Sequence, residues 1–373
     1  MASATHASKK VAVEPTESEL VPFEHGAAGH EGISSNASGS LIIKPCTQAE
    51  IDFYESAKDH PLFQAHMPTF IGSLAQHEDE EAAAPLDPSH HGVAAPKGVI
   101  ADPTPGLIRR ATTWKPSGGK KISTGTAIVL ENVASGFKHP NVLDVKLGSR
   151  LWDDDAPAAK RRKLDEVSER TTSGSLGFRI AGMKTWSPAK TDSEVEVTRA
   201  EKEYVEVKSR YKSYNKFYGQ SFKAENVIDA FTAYFGGVEE SSSAVPERKK
   251  LKQKRAEYLV RRFVRELESV QYVLENEESR MYSASILLVY EGDEETLEGS
   301  IAKEKNADTE AHDDGDEAEE DDDDDDEDTK PHKVEEVRLI DFAHATWTPG
   351  QGPDENVLQG VRSVLDILRK LVD

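Results

Sequence analysis

Cysteine is almost missing from this chain: Cys46 stands alone among 373 residues. A single thiol excludes an internal disulfide and any zinc site built from several cysteines, and it suits a reducing compartment. No apolar run approaches the roughly 20 residues that cross a bilayer, and residues 1–19 are polar, without the apolar core of a secretory leader. The expectation is residence in nucleus and cytoplasm with no membrane span. Basic residues are outnumbered, 46 against 69 acids for a net charge of −23; direct nucleic-acid binding is not expected. Two nucleotide-site signatures are missing too. The run Gly118-Gly119-Lys120-Lys121-Ile122-Ser123-Thr124 lacks the Gly-x4-Gly-Lys-[Ser/Thr] spacing and follows no apolar strand, which rejects a Walker loop. There is no His-Arg-Asp, Asp-Phe-Gly or Ala-Pro-Glu, which disfavours a protein kinase.

What is present is unevenly spread. Residues 291–328 hold 22 acids against Lys303 and Lys305, a net of −20, which leaves −3 for the rest of the chain. Such a run cannot build a core, and residues 292–330 read as a disordered acidic insert, either a solubilising segment or a tail for basic nuclear or transcription-related proteins. Two further segments read as structureless: an N-terminal tail over 1–20, and a loop over 76–119 rich in Ala, Pro, Gly, His and acids.

Between these segments the pattern is that of a packed α+β protein. Residues 21–44 read as a hairpin whose turn carries Gly26, Gly29 and Gly32 and whose second strand, Leu41-Ile42-Ile43, ends at Lys44. Glycines between strands and a following lysine are what a kinase-like N-lobe uses to cover phosphates and reach them with charge. Thr47 and Glu50 make a capping box that opens a helix through Ile51, Phe53 and Tyr54, and either Glu50 or Glu55 can pair with Lys44. A short strand is expected over 67–72. Residues 126–133 form an apolar strand running into polar residues where a hinge would pass, so that the backbone of Glu131 and Val133 would read an adenine edge.

The most informative stretch is 139–148. Asp144 and Lys146 are two apart, so on a strand both side chains leave one face while Leu143, Val145 and Leu147 enter a core. Pro140 sets the entry, and Gly148 permits a sharp turn. Acids and Pro157 then introduce a helix with Lys160, Arg161, Arg162 and Lys163, a basic cluster able to grip phosphates or simply to face water. A long amphipathic helix is expected over 255–281, with Leu259, Phe263, Leu267, Val270 and Leu274 inward. Strands over 283–290 and 334–342 would pair around the insert, and a helix over 354–371 closes the chain. Leu339-Ile340-Asp341-Phe342-Ala343-His344 places an acid at a strand end before a hydrophobic anchor, the local logic of a metal-binding carboxylate.

The pattern Pro140-x-x-x-Asp144-x-Lys146-x-Gly148 resembles the signature of the inositol polyphosphate kinases, and so do the blocks 171–183, 283–292 and 340–344. The likeness covers most of the chain from about residue 21; within the family it is most similar to the fungal multikinases. It implies a two-lobe kinase-like α+β fold with antiparallel sheets in both lobes: an N-lobe over 21–132, and a C-lobe over 133–373 carrying an inserted helical substrate-binding segment at about 153–175. It implies ATP and Mg2+ as cofactors and soluble inositol tris- and tetrakisphosphates as substrates, in a monomer. By that resemblance Asp144 would hold the ribose, Lys44 the ATP phosphates and Asp341 Mg2+. Lys146 would meet the substrate or the transferred phosphate, and Lys160, Lys163 and His344 would face the inositol phosphate. The remaining alternatives are an inositol hexakisphosphate kinase making pyrophosphates and a mainly non-catalytic nuclear scaffold acting through the insert.

Overall fold

In a computed structural model the described residues are 20–23, 26, 32–75, 125–236, 246–313 and 333–373, with backbone alone over 246–252 and 307–313. The expected tail over 1–19, the glycine turn over 27–31, the loop over 76–119 and the acidic run beyond 313 lie outside them.

The first layer is a sheet of β1 (Val21–Pro22), β2 (Ser34–Ser35), β3 (Leu41–Pro45), β4 (Phe70–Ala75) and β5 (Thr126–Glu131), all antiparallel in the order β1-β2-β3-β5-β4. The apolar run Ala127-Ile128-Val129-Leu130 makes β5 a buried interior strand, flanked by β3 and β4. Between β3 and β4 come α1 (Gln48–Ser56) and α2 (Pro61–Gln64). Thr47 Oγ1 caps α1 by accepting from the Glu50 amide at 3.3 Å. The strand expected over 67–72 begins three residues later, because 65–69 form the turn that leaves α2.

The second layer is β6 (Pro140–Leu147), then α3 (Ala158–Arg170), α4 (Thr172–Leu176), β7 (Phe178–Trp186), β8 (Val205–Lys208), β9 (Tyr211–Tyr214), α5 (Lys216–Ser221), α6 (Ile228–Tyr234), α7 (Pro246–Asn276), β10 (Ser279–Met281), β11 (Ser285–Glu291), α8 (Glu294–Asp313), β12 (Glu335–Ile340), β13 (Ala345–Trp347) and α9 (Glu355–Lys370). Its large sheet runs β12-β11-β6-β7-β9-β8, antiparallel throughout. α7 and α9 pack against it, and the expected inward residues Leu259, Phe263, Leu267, Val270 and Leu274 are buried, as are Val357, Val361, Leu365 and Leu368. The long helix starts earlier than expected and stops at Asn276; residues 279–281 pair instead with β13.

One expectation is overturned. Disorder is expected across 292–330, yet 294–313 form α8, with Leu297 and Ser300 buried. Asp293 Oδ1 accepts from the Thr296 amide at 3.0 Å and opens the helix. Arg255 of α7 meets Glu294 at 3.1 Å and Glu298 at 2.6 Å, and Arg262 meets Glu304 at 2.6 Å. A count of like charges along the chain misses these partners because they arrive from another helix, some 40 residues away in sequence.

Candidate functional site

β6 occupies the middle of its sheet between β11 and β7, which is why an acid on it can be held rigidly. Asp144 is 3% exposed, opposite Leu287 on one side and Gly182 on the other. Lys146 lies on the same face, opposite Ser285 and Arg179. Its Nζ donates to the Ser283 carbonyl at 2.6 Å and stands 3.9 Å from Asp341 Oδ2. Arg179 was not singled out from sequence. Its guanidinium donates to Ser173 Oγ at 3.0 Å; burial lowers its pKa, against the opposing pull of Asp144. The available signal was a cation between two apolar residues, Phe178 and Ile180, but only the β6–β7 register puts it beside Lys146.

Asp341 follows β12 directly, with φ +68°, a left-handed conformation uncommon for a non-glycine residue and characteristic of strained functional positions. Lys44, at the end of β3, donates to Asp341 Oδ1 at 2.6 Å and to Glu50 Oε1 at 2.8 Å. Burial alone would depress the lysine, but the Asp341 and Glu50 carboxylates outweigh it and hold its pKa above the usual lysine value. Glu50 is 1% exposed, while Glu55 faces solvent, so the partner left open by sequence is Glu50. Its helix is held against the second layer by stacked rings: Phe53 lies 5.0 Å from Phe342 and 4.6 Å from Trp347.

Between the layers lies an open apolar cleft, walled by Ile33, Ile42, Leu130, Val133, Val142 and Leu287, with Lys44, Asp144 and Asp341 also lining it. Its walls suit a flat, mostly apolar group with charge at one end. Val133 lines it as expected. Glu131 does not: its amide donates to Thr69 O at 2.9 Å and its carboxylate accepts from Thr69 Oγ1 at 2.7 Å, so its N–H belongs to the sheet. Asn132, missed from sequence, shapes the hinge turn by donating to Gly39 O at 2.6 Å and accepting from the Ala134 amide at 3.0 Å.

The basic segment stands apart from this centre. Lys160 and Lys163 are exposed on α3, and their side chains make no hydrogen bond or ion pair among the described residues. α3 is rooted beside the end of β6, where Ser168 Oγ donates to Ser149 O at 2.6 Å and Trp152 Nε1 to Asp165 at 2.6 Å. His344, expected to face the inositol phosphate, has its Nδ1 engaged by Asp153 at the foot of this arm. Gly148 makes the preceding turn at φ +93°, and Asn356 of α9 clasps it, accepting from the Arg150 amide at 2.8 Å.

No cluster of three or more His, Cys, Asp or Glu able to hold a metal occurs among the described residues. Asp341, with Asp144 at the same cleft, fits a hard cation that takes only one or two carboxylates and completes its shell with phosphates and water. Residues 127–369 match the family described as inositol polyphosphate kinase. The inositol polyphosphate multikinase of Saccharomyces cerevisiae is 36% identical over 375 residues, spanning 93% of this chain and 97% of that protein. The multikinase of Schizosaccharomyces pombe is 27% identical over 95% and 98% of the two chains. A crystal structure of the S. cerevisiae inositol phosphate multikinase in complex with ADP and Mn2+ superposes with a TM-score of 0.58 at 31% identity, covering 90% of this chain and all of that one.

Proposed function

This chain belongs to the inositol polyphosphate kinase family, and from that membership we propose that it acts as a multikinase, moving the γ-phosphate of ATP to hydroxyls of inositol tris- and tetrakisphosphates with Mg2+ as the cation. The observation that carries the proposal is the meeting of Lys44, Lys146 and Asp341 from three separate strand ends at the charged end of one apolar cleft.

Phosphoryl transfer through a loose transition state asks mainly for positioning and neutralised charge. The cleft walls would hold the adenine, read by the backbone at Val133, and Asp144 would accept from the ribose. Asp341 would hold the cation, which would supply charge neutralisation at the nucleotide phosphates. Lys44, clasped by Glu50 and Asp341 at the same end of the cleft, would meet those phosphates with its own charge. Lys146 and Arg179, side by side, would receive the transferred phosphate and the acceptor. Lys160 and Lys163 would meet the outer phosphates of the inositol, and His344, through Asp153, would steady the arm that bears them. No strong base is needed. The proposal extends to a monomer of nucleus and cytoplasm, with basic nuclear proteins as partners of the acidic segment.

The test is an assay of purified protein with γ-labelled ATP, Mg2+ and a panel of inositol phosphates. Transfer to tris- and tetrakisphosphates is expected. Products formed only from the hexakisphosphate would move the reading to a pyrophosphate-forming kinase, and no product at all would leave the scaffold alternative.

A further inference from the structure

The loop joining β10 to β11 does more than turn the chain. Ser283 sits at φ +60°, a conformation few non-glycine residues adopt, and this aims its carbonyl at Lys146 Nζ, 2.6 Å away. Its hydroxyl donates in another direction, to Leu151 O at 3.0 Å, at the root of the arm bearing α3. The flanking residues bind the same parts. Tyr282 N–H donates to His344 O at 3.1 Å, and the Ala284 carbonyl accepts from the Leu147 amide at 2.8 Å. The Tyr282 ring lies 4.8 Å from the Arg150 guanidinium, whose other ring neighbour is Trp152 at 4.1 Å; Arg161 of α3 stacks on Trp152 at 4.7 Å. A continuous stack thus runs from the loop to the first turn of the basic helix.

We propose that Ser283 is a positioning residue that sets the reach of Lys146 and ties it to the substrate arm. A lysine side chain has many rotamers, and Asp341 would draw Nζ into direct contact. The Ser283 carbonyl offers a closer partner and keeps Nζ 3.9 Å from Asp341 Oδ2. The ammonium is held where a phosphate arriving over the arm can meet it, and the hydroxyl bond to Leu151 keeps that arm in step. The inference rests on the kinase reading for its kinetic consequence, though not for its geometry.

Two kinds of substitution separate the backbone from the hydroxyl. Ser283→Val disfavours a positive φ and swings the carbonyl away, and a charge misplaced by an ångström near the chemistry lowers kcat by about 10²-fold. Ser283→Gly accepts the same φ without strain and keeps the carbonyl; it should recover most of that kcat while raising the KM for the inositol polyphosphate, because the Leu151 anchor is gone. If Ser283→Val does not fold, Ser283→Thr, which keeps a hydroxyl but resists the conformation, carries the same expectation. A second readout is independent of activity: acylation of Lys146 by an amine-reactive reagent, followed by mass spectrometry. Labelling should rise several-fold in Ser283→Val and stay at the wild-type level in Ser283→Gly. In a Lys146→Ala background Ser283→Val should have no further effect on the residual rate. Wild-type Lys146 labelling in folded Ser283→Val, or equal kcat losses in the Val and Gly variants, would overturn the proposal. Failure of the wild-type protein to phosphorylate any inositol phosphate would overturn the kinase reading and leave the labelling result to decide this one.

Discussion

Asp341 and Lys146 are 3.9 Å apart yet each is committed to a different closer partner, and the balance among those contacts is what single substitutions should reveal. Lys146→Ala should lower turnover by about 10²-fold or more while the protein keeps its unfolding midpoint, because one fixed charge is withdrawn from the transition state. Asp341→Asn should lose the dependence of rate on divalent cation, since an amide binds a hard cation poorly; a wild-type Mg2+ titration would place the cation elsewhere. Glu50→Gln should cost about 10²-fold in kcat/KM by releasing Lys44, whereas Glu55→Gln on the exposed side of the same helix should change little, and the pair can be assayed side by side. Asp144 and Lys146 were legible from spacing alone because alternation on a strand is a local property. The choice of Glu50 over Glu55 was not, since it depends on which face α1 turns to Phe342 and Trp347.

At the scale of elements, the turn leaving β6 is closed by a residue more than 200 positions later. A Cβ at position 148 would come 2.5 Å from Asn356 Nδ2, at φ +93°, so Gly148→Ala should destabilise by about 1–3 kcal/mol in denaturant unfolding. A second measurement concerns the edge of the large sheet. Glu201 accepts from Tyr214 Oη at 2.6 Å and from the Thr198 amide at 2.9 Å. Burial alone would raise its pKa, but these bonds and Lys212 outweigh it and hold the carboxyl below its ordinary 4.5. A carboxyl depressed in the folded state contributes stability above its unfolded pKa and loses it as pH falls through the folded value. Glu201→Gln should therefore lower the unfolding midpoint at neutral pH, and the gap to wild type should narrow as pH drops below 4.5. Neither contact could be read beforehand: the amphipathic helices and apolar strands are written in periodicity, while the partner that caps, clasps or neutralises them comes from elsewhere in the chain.

For the molecule as a whole, the acidic insert divides into two parts with different consequences. Replacing 314–329 by a short Gly/Ser linker should preserve folding and activity, since β11 and β12 pair directly, from Ser285 with Ile340 to Tyr290 with Glu335. The deletion removes the 13 acids between 314 and 328, so the apparent affinity for an anionic substrate should tighten at low salt, and the gain should fade as salt is added. Extending the deletion back to 294 should instead destabilise the protein, because Leu297 loses its buried site, worth about 1.5–3 kcal/mol, and Arg255 and Arg262 lose their partners on α8. Unfolding curves of the two deletion proteins separate these outcomes.

By itself the sequence determined the class of fold, the strand that carries Asp144 and Lys146, the strand end that carries Asp341 and the inward faces of α7 and α9, because each follows from local spacing and from the cost of burying charge. Tertiary structure alone decided the rest: that Lys44 finds Asp341 across 297 positions, that Arg179 stands beside Lys146, that Ser283 governs that lysine and that half of an apparently structureless acidic run folds against α7. These are contacts between segments distant in sequence, set by strand register and by which helix face meets which. A one-dimensional pattern states how each segment will fold, and only packing states what it will touch.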